Sequence, residues 1–328
     1  MFFLNILIPL LFSFFSIHYI KILSINYNVF IDHPKTRGQH QISKPRSGGI
    51  CFFLSLIIFL YFDFFFEKNI PLYLILILIF YSNINFLIGI IDDYKNLNFK
   101  IKLIFQVFSS IITIIIIDKF FGFITNELYF YFFIIFFFSI TFININNFMD
   151  GTDAIVITNF IFFIIINILY SIFINYFGII PFLLWLLITS LVFILYNFPP
   201  SKIFLGDSGS YLLGSIVVVA VCYLAITDLK YILIFLNIYS FFFIDTSFTL
   251  LIRFKNKENI FTAHNKHLYQ QLSSKNKKLF SINYIIYMSL TLIFVCLTVF
   301  YDAIVIFTFL NYILLSLFYF ILKKNEIS

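Results

Sequence analysis

Charged side chains are scarce in this chain: Lys, Arg, Asp and Glu make up 11% of its 328 residues, whereas an average soluble domain has about 25%. Hydrophobic residues make up 62%, and the mean hydropathy is +1.03. The composition therefore excludes an ordinary soluble domain. We expect membrane lipid around the protein and no nucleic acid among its partners.

Cysteine is also rare. Cys51, Cys222 and Cys296 fall inside apolar runs, with neither the spacing of a metal site nor an even number for pairing, and are interpreted as packing residues. The first 23 residues are apolar, carry their first charge at Lys21 and are followed by no small-residue cleavage site. This pattern predicts an uncleaved membrane span rather than a signal peptide.

Long apolar runs follow one another through the rest of the sequence. Each is about 20 residues long, which is enough for a helix to cross a bilayer. Backbone groups in lipid must pair internally, which favours helices over strands. We predict an all-α polytopic membrane protein, a single integral membrane domain over residues 1–328 with about 11 transmembrane helices. The predicted spans lie near 2–23, 48–66, 71–91, 101–117, 128–146, 155–176, 179–197, 209–227, 230–252, 281–300 and 303–322.

The cationic residues predict the sidedness of the loops. With eleven spans, all but three of the 21 Lys and Arg residues fall on one side of the membrane, the exceptions being Lys68, Lys119 and Lys230. Positively charged residues concentrate in cytoplasmic loops. The N-terminus is therefore predicted to lie outside, with the C-terminus and the odd-numbered loops in the cytoplasm.

Five acids lie at the same cytoplasmic edge, in three separate loops: Asp92, Asp93, Asp150, Asp153 and Asp207. A carboxylate at a membrane boundary is costly unless it is paired or bound to a cation. One such acid is an ordinary loop residue. Five on one face predict a shared polar site whose substrate also lies at the membrane edge.

The first four acids belong to two polar motifs. In "GIIDDYKNL", Asp92 and Asp93 are adjacent, so each raises the proton affinity of the other unless a cation intervenes. The alternative is a solvated span end. In "NINNFMDGTDAI", Asn147, Asp150 and Asp153 follow at steps of three and share one face of a helix or turn. Their oxygens suit Mg²⁺, and the alternative is a polar stripe between helices.

Two further segments are typical of anion binding. In "NFPPSKIFLGDSGSYLLGS", a small-residue turn with Asp207 opens a span, and helix N-termini attract anions; the alternative is a simple N-cap. In "FTAHNKHLYQQL", His264 and His267 flank Lys266 without the third or fourth ligand that zinc requires. Anion binding or proton transfer is favoured there, and the alternative is a basic loop that only touches anionic lipid.

A polar loop over residues 32–50 ends in "PRSGG" and adds Arg46. Together these segments supply acids, amide oxygens, a Gly-rich helix start and basic side chains on one membrane face. Phosphoryl transfer needs such a set, because metal and cations must hold phosphate oxygens in line. An ion-coupled transporter is an alternative, but transporters usually hold their acids near the bilayer midplane. An inactive scaffold would need no acids there.

The motifs "PRSGG", "DDYKN", "NNFMDGTDA", "IFLGDSGS" and "AHNKHLYQQL" occur in this order between Asp32 and about Leu272. The set closely resembles that of the polyprenyl-phosphate N-acetylhexosamine-1-phosphate transferases, glycosyltransferase family 4. The His segment and "NFPP" look most like the branch that initiates O-antigen. Two positions depart from the family pattern, since Ala154 and Ser47 stand where Gly is common.

The resemblance implies a Mg²⁺-dependent enzyme, with Mn²⁺ as a substitute metal, whose active site faces the cytoplasm from the bacterial inner membrane. It would transfer N-acetylhexosamine-1-phosphate from a UDP-sugar to undecaprenyl phosphate, release UMP and start a lipid-linked cell-surface glycan such as O-antigen. The sugar, the glycan pathway and the oligomeric state, a homodimer included, stay open.

The resemblance and the basic loops together predict the site residues. The first acid pair would bind metal and lipid phosphate or deprotonate it, and the identity of the general base stays open. The predicted catalytic residues are Asp92, Asp93, Asp150 and Asp153, the metal ligands Asn147 and Asp207, and the substrate-binding residues Arg46, Lys202, His264, Lys266 and His267.

Overall fold

The computed structural model describes residues 2–33, 43–121, 129–259, 262, 264–300 and 303–327. Parts of the predicted 32–50 loop and of the His segment lie outside these residues. The described part is almost entirely helical, which confirms the predicted all-α class. The helices are α1 (Phe2–Asn26), α2 (Gly48–Phe62), α3 (Leu72–Ile77), α4 (Asn83–Lys95), α5 (Phe99–Phe121), α6 (Tyr129–Phe148), α7 (Ile155–Phe173), α8 (Ile180–Asn197), α9 (Gly206–Thr227), α10 (Lys230–Ile238), α11 (Ser240–Lys255), α12 (Leu268–Lys275), α13 (Lys277–Phe300) and α14 (Ile304–Ile327).

Several of these helices are continuous with one another. A π-helical turn, Asp63–Glu67, extends α2, and a second, Leu78–Ser82, joins α3 to α4. Strands β1 (Ile31–Asp32) and β2 (Lys44–Pro45) pair antiparallel before α2 and are the described chain's only departure from helix and loop.

Nine helical segments of the described chain are long and apolar enough to cross a membrane. A tenth forms if α10 and α11, which meet at 68°, count as one broken span, and α6 contributes a shorter apolar stretch, Phe133–Phe148. A multi-pass membrane protein is therefore confirmed. The number of eleven spans stays a prediction.

Helix boundaries differ from the prediction where polar groups extend or break a helix. The span predicted to end at 91 continues to Lys95, and the Asp92 carboxylate accepts the backbone N–H of Leu97, just beyond the helix end, at 2.6 Å. Both acids of the first pair thus lie within the last helical turns. Helix α9 begins at Gly206, so Asp207 lies in its first turn rather than before it.

The span predicted over 230–252 is wrong in one respect, since it is broken at Tyr239 between α10 and α11. No Pro or Gly marks this break. The Ser240 hydroxyl donates to the carbonyl of Asn237 at 2.7 Å, and the Asn311 amide donates to the side chain of Asn237 at 3.0 Å. These polar side chains satisfy groups at the bend, as they must inside an apolar bundle.

Helix α9 forms the centre of the bundle and packs against α2, α4 and α6. The apolar, membrane-spanning part of α9 is 89% buried, whereas the corresponding part of α1 is 17% buried and that of α14 is 22% buried. A Cβ atom on Gly49 would lie 2.3 Å from the Gly209 nitrogen, and one on Gly89 would lie 2.4 Å from the Ser208 Cα. Small residues therefore let three backbones approach closely. As a result, the start of α9 meets the C-terminal ends of α4 and α6.

Candidate active site

Asp93 caps the central helix from a neighbouring one. Its carboxylate is 2% exposed and accepts the backbone N–H groups of Asp207 at 3.0 Å and Ser208 at 2.9 Å. These are N–H groups of the first turn of α9, which have no partner within the helix. Gly206 has a φ of +78°, and a Cβ atom there would lie 2.8 Å from this carboxylate. Glycine is therefore required where the chain enters α9 beside Asp93.

Lys102 joins the two acids at the helix ends. Its ammonium group contacts the Asp92 carboxylate and lies 3.3 Å from Oδ2 of Asp207. Lys102 is in the first turn of α5, immediately after the loop that follows the first acid pair. Asp92 therefore forms an ion pair with Lys102 and also accepts a backbone N–H of the loop that follows α4. Asp207 is partly exposed, with 31% of its side chain accessible.

Asn147 ties the end of α6 to the start of α9. Its amide nitrogen donates to the Ser210 hydroxyl at 2.9 Å, and the amide of Asn146 donates to the Ser210 carbonyl at 2.7 Å. The Asn147 side chain also lies close enough to the Asp207 carboxylate to stabilise its charge. The two residues predicted to bind metal are therefore neighbours, although 60 residues separate them in the sequence.

Asp150 and Asp153 lie in the turn between α6 and α7 but differ in their surroundings. The Asp150 carboxylate makes no hydrogen bond or ion pair with any residue that the structure describes. Burial raises its pKa well above the usual range, and the negative charges of Asp207, Asp93 and Asp153 raise it further. The Asp153 carboxylate, in contrast, accepts the backbone N–H of Ser201 at 3.4 Å.

Two cavities adjoin this turn and share Asp150, Gly151 and Gln270 in their walls. The smaller, called the acidic cavity below, has a volume of about 230 Å³. Its charged lining consists of Asp32, Arg46, Asp93, Asp150, Asp153, Asp207 and Lys277. The larger, called the histidine cavity, has a volume of about 440 Å³ and includes Lys102, Asn147, His264, His267 and the aromatic rings of Phe99, Phe148, Tyr211 and Tyr269.

The His segment places both histidines in the histidine cavity. Their rings stack, with centroids 4.8 Å apart and planes inclined by 27°. Burial lowers the pKa of His264 to about 4, and the nearby His267 contributes to the shift. Lys266 points elsewhere, because its ammonium group lies 2.6 Å from Glu258 and the side chain is 52% exposed.

The other two predicted basic residues, Arg46 and Lys202, also differ in whether they line a cavity. Arg46 lines the acidic cavity, where its Nε lies 3.8 Å from Oδ1 of Asp93. Lys202 is exposed, and its ammonium group lies 5.9 Å from the centre of the Tyr196 ring. Lys202 and Lys266 therefore line neither cavity. The structure brings together the five acids, Asn147, Arg46 and both histidines.

Sequence reasoning missed four residues that organise the site: Lys102, Lys277, Asp245 and Tyr269. Lys277 begins α13 and lines the acidic cavity, where it interacts electrostatically with Asp153. The sequence identifies Lys102 and Lys277 only as loop cations, although each lies in the first turn of a helix, α5 or α13. Asp245 lies within a predicted span, where an isolated acid is itself a signal of a functional role.

The donor set fits a metal ion only in part. No three His, Cys, Asp or Glu side chains in the described residues come close enough to hold a metal between them. Mg²⁺, however, keeps water and substrate phosphate among its ligands and needs only one or two carboxylates from the protein. The Asp207 carboxylate beside the Asn147 amide, close to the unpaired Asp150, meets that lower requirement.

Comparison with known proteins gives two matches. The model of the family described as "Glycosyl transferase family 4" matches residues 74–225, which include both acid pairs, Asn147 and Asp207. The chain is also 31% identical over 255 residues to the undecaprenyl-phosphate alpha-N-acetylglucosaminyl 1-phosphate transferase of Thermotoga maritima. That alignment covers 75% of this chain and 74% of the relative.

Proposed function

Because this chain belongs to glycosyl transferase family 4, the polyprenyl-phosphate N-acetylhexosamine-1-phosphate transferases, we propose that it transfers N-acetylhexosamine-1-phosphate from a UDP-sugar to undecaprenyl phosphate. An oxygen of the acceptor phosphate forms a bond to the β-phosphorus of the donor. The bond from that phosphorus to the bridging oxygen breaks, and the oxygen leaves with UMP. The product is a lipid-linked sugar diphosphate.

The observation that carries this proposal is the position of Asp150. It lies between the two cavities without a partner among the described residues, and three further acids lie close enough to raise its pKa. Such crowding does not stabilise the fold, because like charges in a poorly solvated site repel one another. A divalent cation bound together with the donor diphosphate would relieve the repulsion.

The cavities suit the two halves of a nucleotide sugar. The histidine cavity has aromatic rings and stacked imidazoles that would hold a uridine base, and it is the larger of the two. The acidic cavity carries Arg46 and Lys277, whose positive charges would hold the phosphate oxygens during transfer. Asp150, in the wall between them, would then lie beside the diphosphate.

Asn147 and Asp207 would hold Mg²⁺, with Mn²⁺ as a substitute. The ion would supply positive charge to the donor phosphates as the bond to UMP breaks. Lys102 already provides one positive charge at Asp207. Asp92 forms an ion pair with Lys102, and Asp93 caps the start of α9. We therefore assign Asp150 as the acid that accepts a proton from a protonated acceptor phosphate.

The distribution of Lys and Arg and the sequence motifs support three finer points of this proposal. We propose that the protein lies in the bacterial inner membrane, that its active site faces the cytoplasm, and that its product begins a cell-surface glycan such as O-antigen.

Sidedness can be tested with single cysteines. A thiol reagent that cannot cross membranes should label a cysteine at position 119 in intact cells, and one at position 95 only after lysis. Lys119 and Lys95 are both exposed, so neither substitution disturbs packing.

The reaction is tested by incubating the purified protein with UDP-N-acetylhexosamines and undecaprenyl phosphate in detergent. UMP should appear only when the lipid acceptor is present, and the lipid product should gain the mass of one sugar phosphate. A set of donors also identifies the sugar. Release of UMP without acceptor, or no reaction with any donor under Mg²⁺ or Mn²⁺, would contradict the proposal.

A further inference from the structure

Asp245 in α11 is fully buried, and both of its carboxylate oxygens accept hydrogen bonds. Oδ1 accepts hydrogen bonds from the Thr249 hydroxyl at 3.0 Å and from the backbone N–H of Leu268 at 2.9 Å. Oδ2 accepts the backbone N–H of Tyr269 at 2.9 Å. The Nδ1 atom of His267 lies 3.4 Å from Oδ1. One carboxylate therefore meets the start of α12 and an imidazole ring of the histidine cavity.

A buried carboxylate costs free energy unless its surroundings compensate the charge. The compensation for Asp245 comes from the first N–H groups of α12, which have no partner within that helix and lie at its positive end. His267 is the residue immediately before α12. Asp245 thus supplies the cap from a different helix and faces the histidine at the same time.

The same short helix contacts the turn that carries Asp150. The Tyr269 hydroxyl donates to the Phe148 carbonyl at 2.8 Å and accepts the backbone N–H of Gly151 at 2.9 Å. A Cβ atom on Gly151 would lie 2.2 Å from this hydroxyl, so the contact needs glycine. A shift of α12 would therefore move His267 and this turn relative to each other.

We propose that Asp245 is a positioning residue for the nucleotide-sugar donor. It fixes the ring of His267 through Nδ1, which leaves the other ring nitrogen to hydrogen bond with the nucleotide, and it docks α12 against the Asp150 turn. This inference rests on the proposed function, since it concerns donor binding by the same site. It predicts that the charge of Asp245 affects the donor and not the lipid acceptor.

The first test replaces Asp245 by Asn, which keeps the shape but removes the charge and one acceptor. We expect the KM for UDP-N-acetylglucosamine, and its Kd measured without acceptor, to rise about tenfold, the effect of losing one charge-assisted hydrogen bond. The KM for undecaprenyl phosphate should stay unchanged. Equal donor affinity in the variant and the wild type would overturn the inference.

Asp63 provides a matched control. It is also buried, at 2% exposure, and accepts two backbone N–H groups, those of Asn69 and Ile70, each at 3.1 Å. It lies at the end of α2 away from the site. We expect both Asp63→Asn and Asp245→Asn to lower the unfolding temperature, but Asp63→Asn should leave donor affinity unchanged. If both variants weaken donor binding equally, Asp245 has only a structural role.

A double-mutant cycle with His267→Ala tests whether Asp245 acts through the histidine. In that background, Asp245→Asn should raise the donor KM by much less than tenfold, because the ring it orients is gone. Fully additive effects would overturn the coupling. If Asp245→Asn does not fold, Tyr269→Phe tests the docking contact in its place, and an unchanged donor KM would then reject the inference. Absence of donor binding by the wild-type protein would reject the proposed function instead.

Discussion

Substitution of Asp93 by Asn should destabilise the fold, whereas the same change at Asp150 should not. Asp93 accepts two backbone N–H groups at the start of α9 and lies beside the guanidinium of Arg46. Asp150 makes no hydrogen bond or ion pair within the described part of the chain and is surrounded by like charges. The two acids belong to similar motifs, so this difference depends on the structure alone.

The expected magnitude at Asp93 follows from its contacts. An Asn side chain can still accept one of the two N–H groups, but its NH₂ would face the other. One hydrogen bond to a charged acceptor, worth about 1.5–3 kcal/mol, is therefore lost. We expect the free energy of unfolding to fall by about 1.5–3 kcal/mol.

The assay compares thermal unfolding in detergent with UMP release per folded molecule. Asp93→Asn should lower the unfolding temperature clearly. Asp150→Asn should keep or raise it, yet reduce turnover by about 10²–10³, the usual cost of removing one group that stabilises reacting charge. An Asp93→Asn variant as stable as the wild type, or an Asp150→Asn variant that is destabilised and fully active, would contradict these roles.

Three further predictions concern the metal, the backbone and pH. Asp207→Asn should raise the Mg²⁺ concentration needed for half-maximal turnover, measured by metal titration, and an unchanged requirement would reject the metal assignment. Ala154 has a φ of +68°, so Ala154→Val should destabilise the protein clearly more than Ala154→Gly, because β-branched residues strongly disfavour positive φ; equal unfolding temperatures would contradict this. The pKa of His264 is about 4 in the fold against an ordinary 6.5, so as pH falls from 6.5 to 4 the unfolded chain takes up the proton first and stability decreases. His264→Gln should flatten that part of the stability profile, and an identical profile would show that His264 does not contribute.

The sequence predicted the site better than it predicted the role of each residue. Lys and Arg placement assigned the acid motifs to one face, and these motifs do meet at one end of the bundle. The capping of α9 by Asp93 could not be predicted, because its partners lie 114 and 115 residues away along the chain. The motif suggests two equivalent acids at Asp92 and Asp93, whereas tertiary contacts give each a different partner.

The fold shows the same limit. Apolar run length was enough to predict the helices, but the break at Tyr239 depends on polar partners in α14, and nothing in the local sequence marks it. Helix α12 is short and polar, and it forms beside Asp245, a residue in a different segment. Hydrophobic patterns therefore predicted spans, whereas contacts between distant polar groups determine where the site residues point.

The proposed reaction transfers a sugar phosphate and not a sugar alone. The most direct test uses UDP-N-acetylhexosamine labelled at the β-phosphorus, incubated with undecaprenyl phosphate and the purified protein. The label should move into the lipid product in step with UMP release, and Asp150→Asn should lose both signals together. Label that remains in the aqueous phase as UDP, while the lipid gains the sugar, would contradict the proposed reaction.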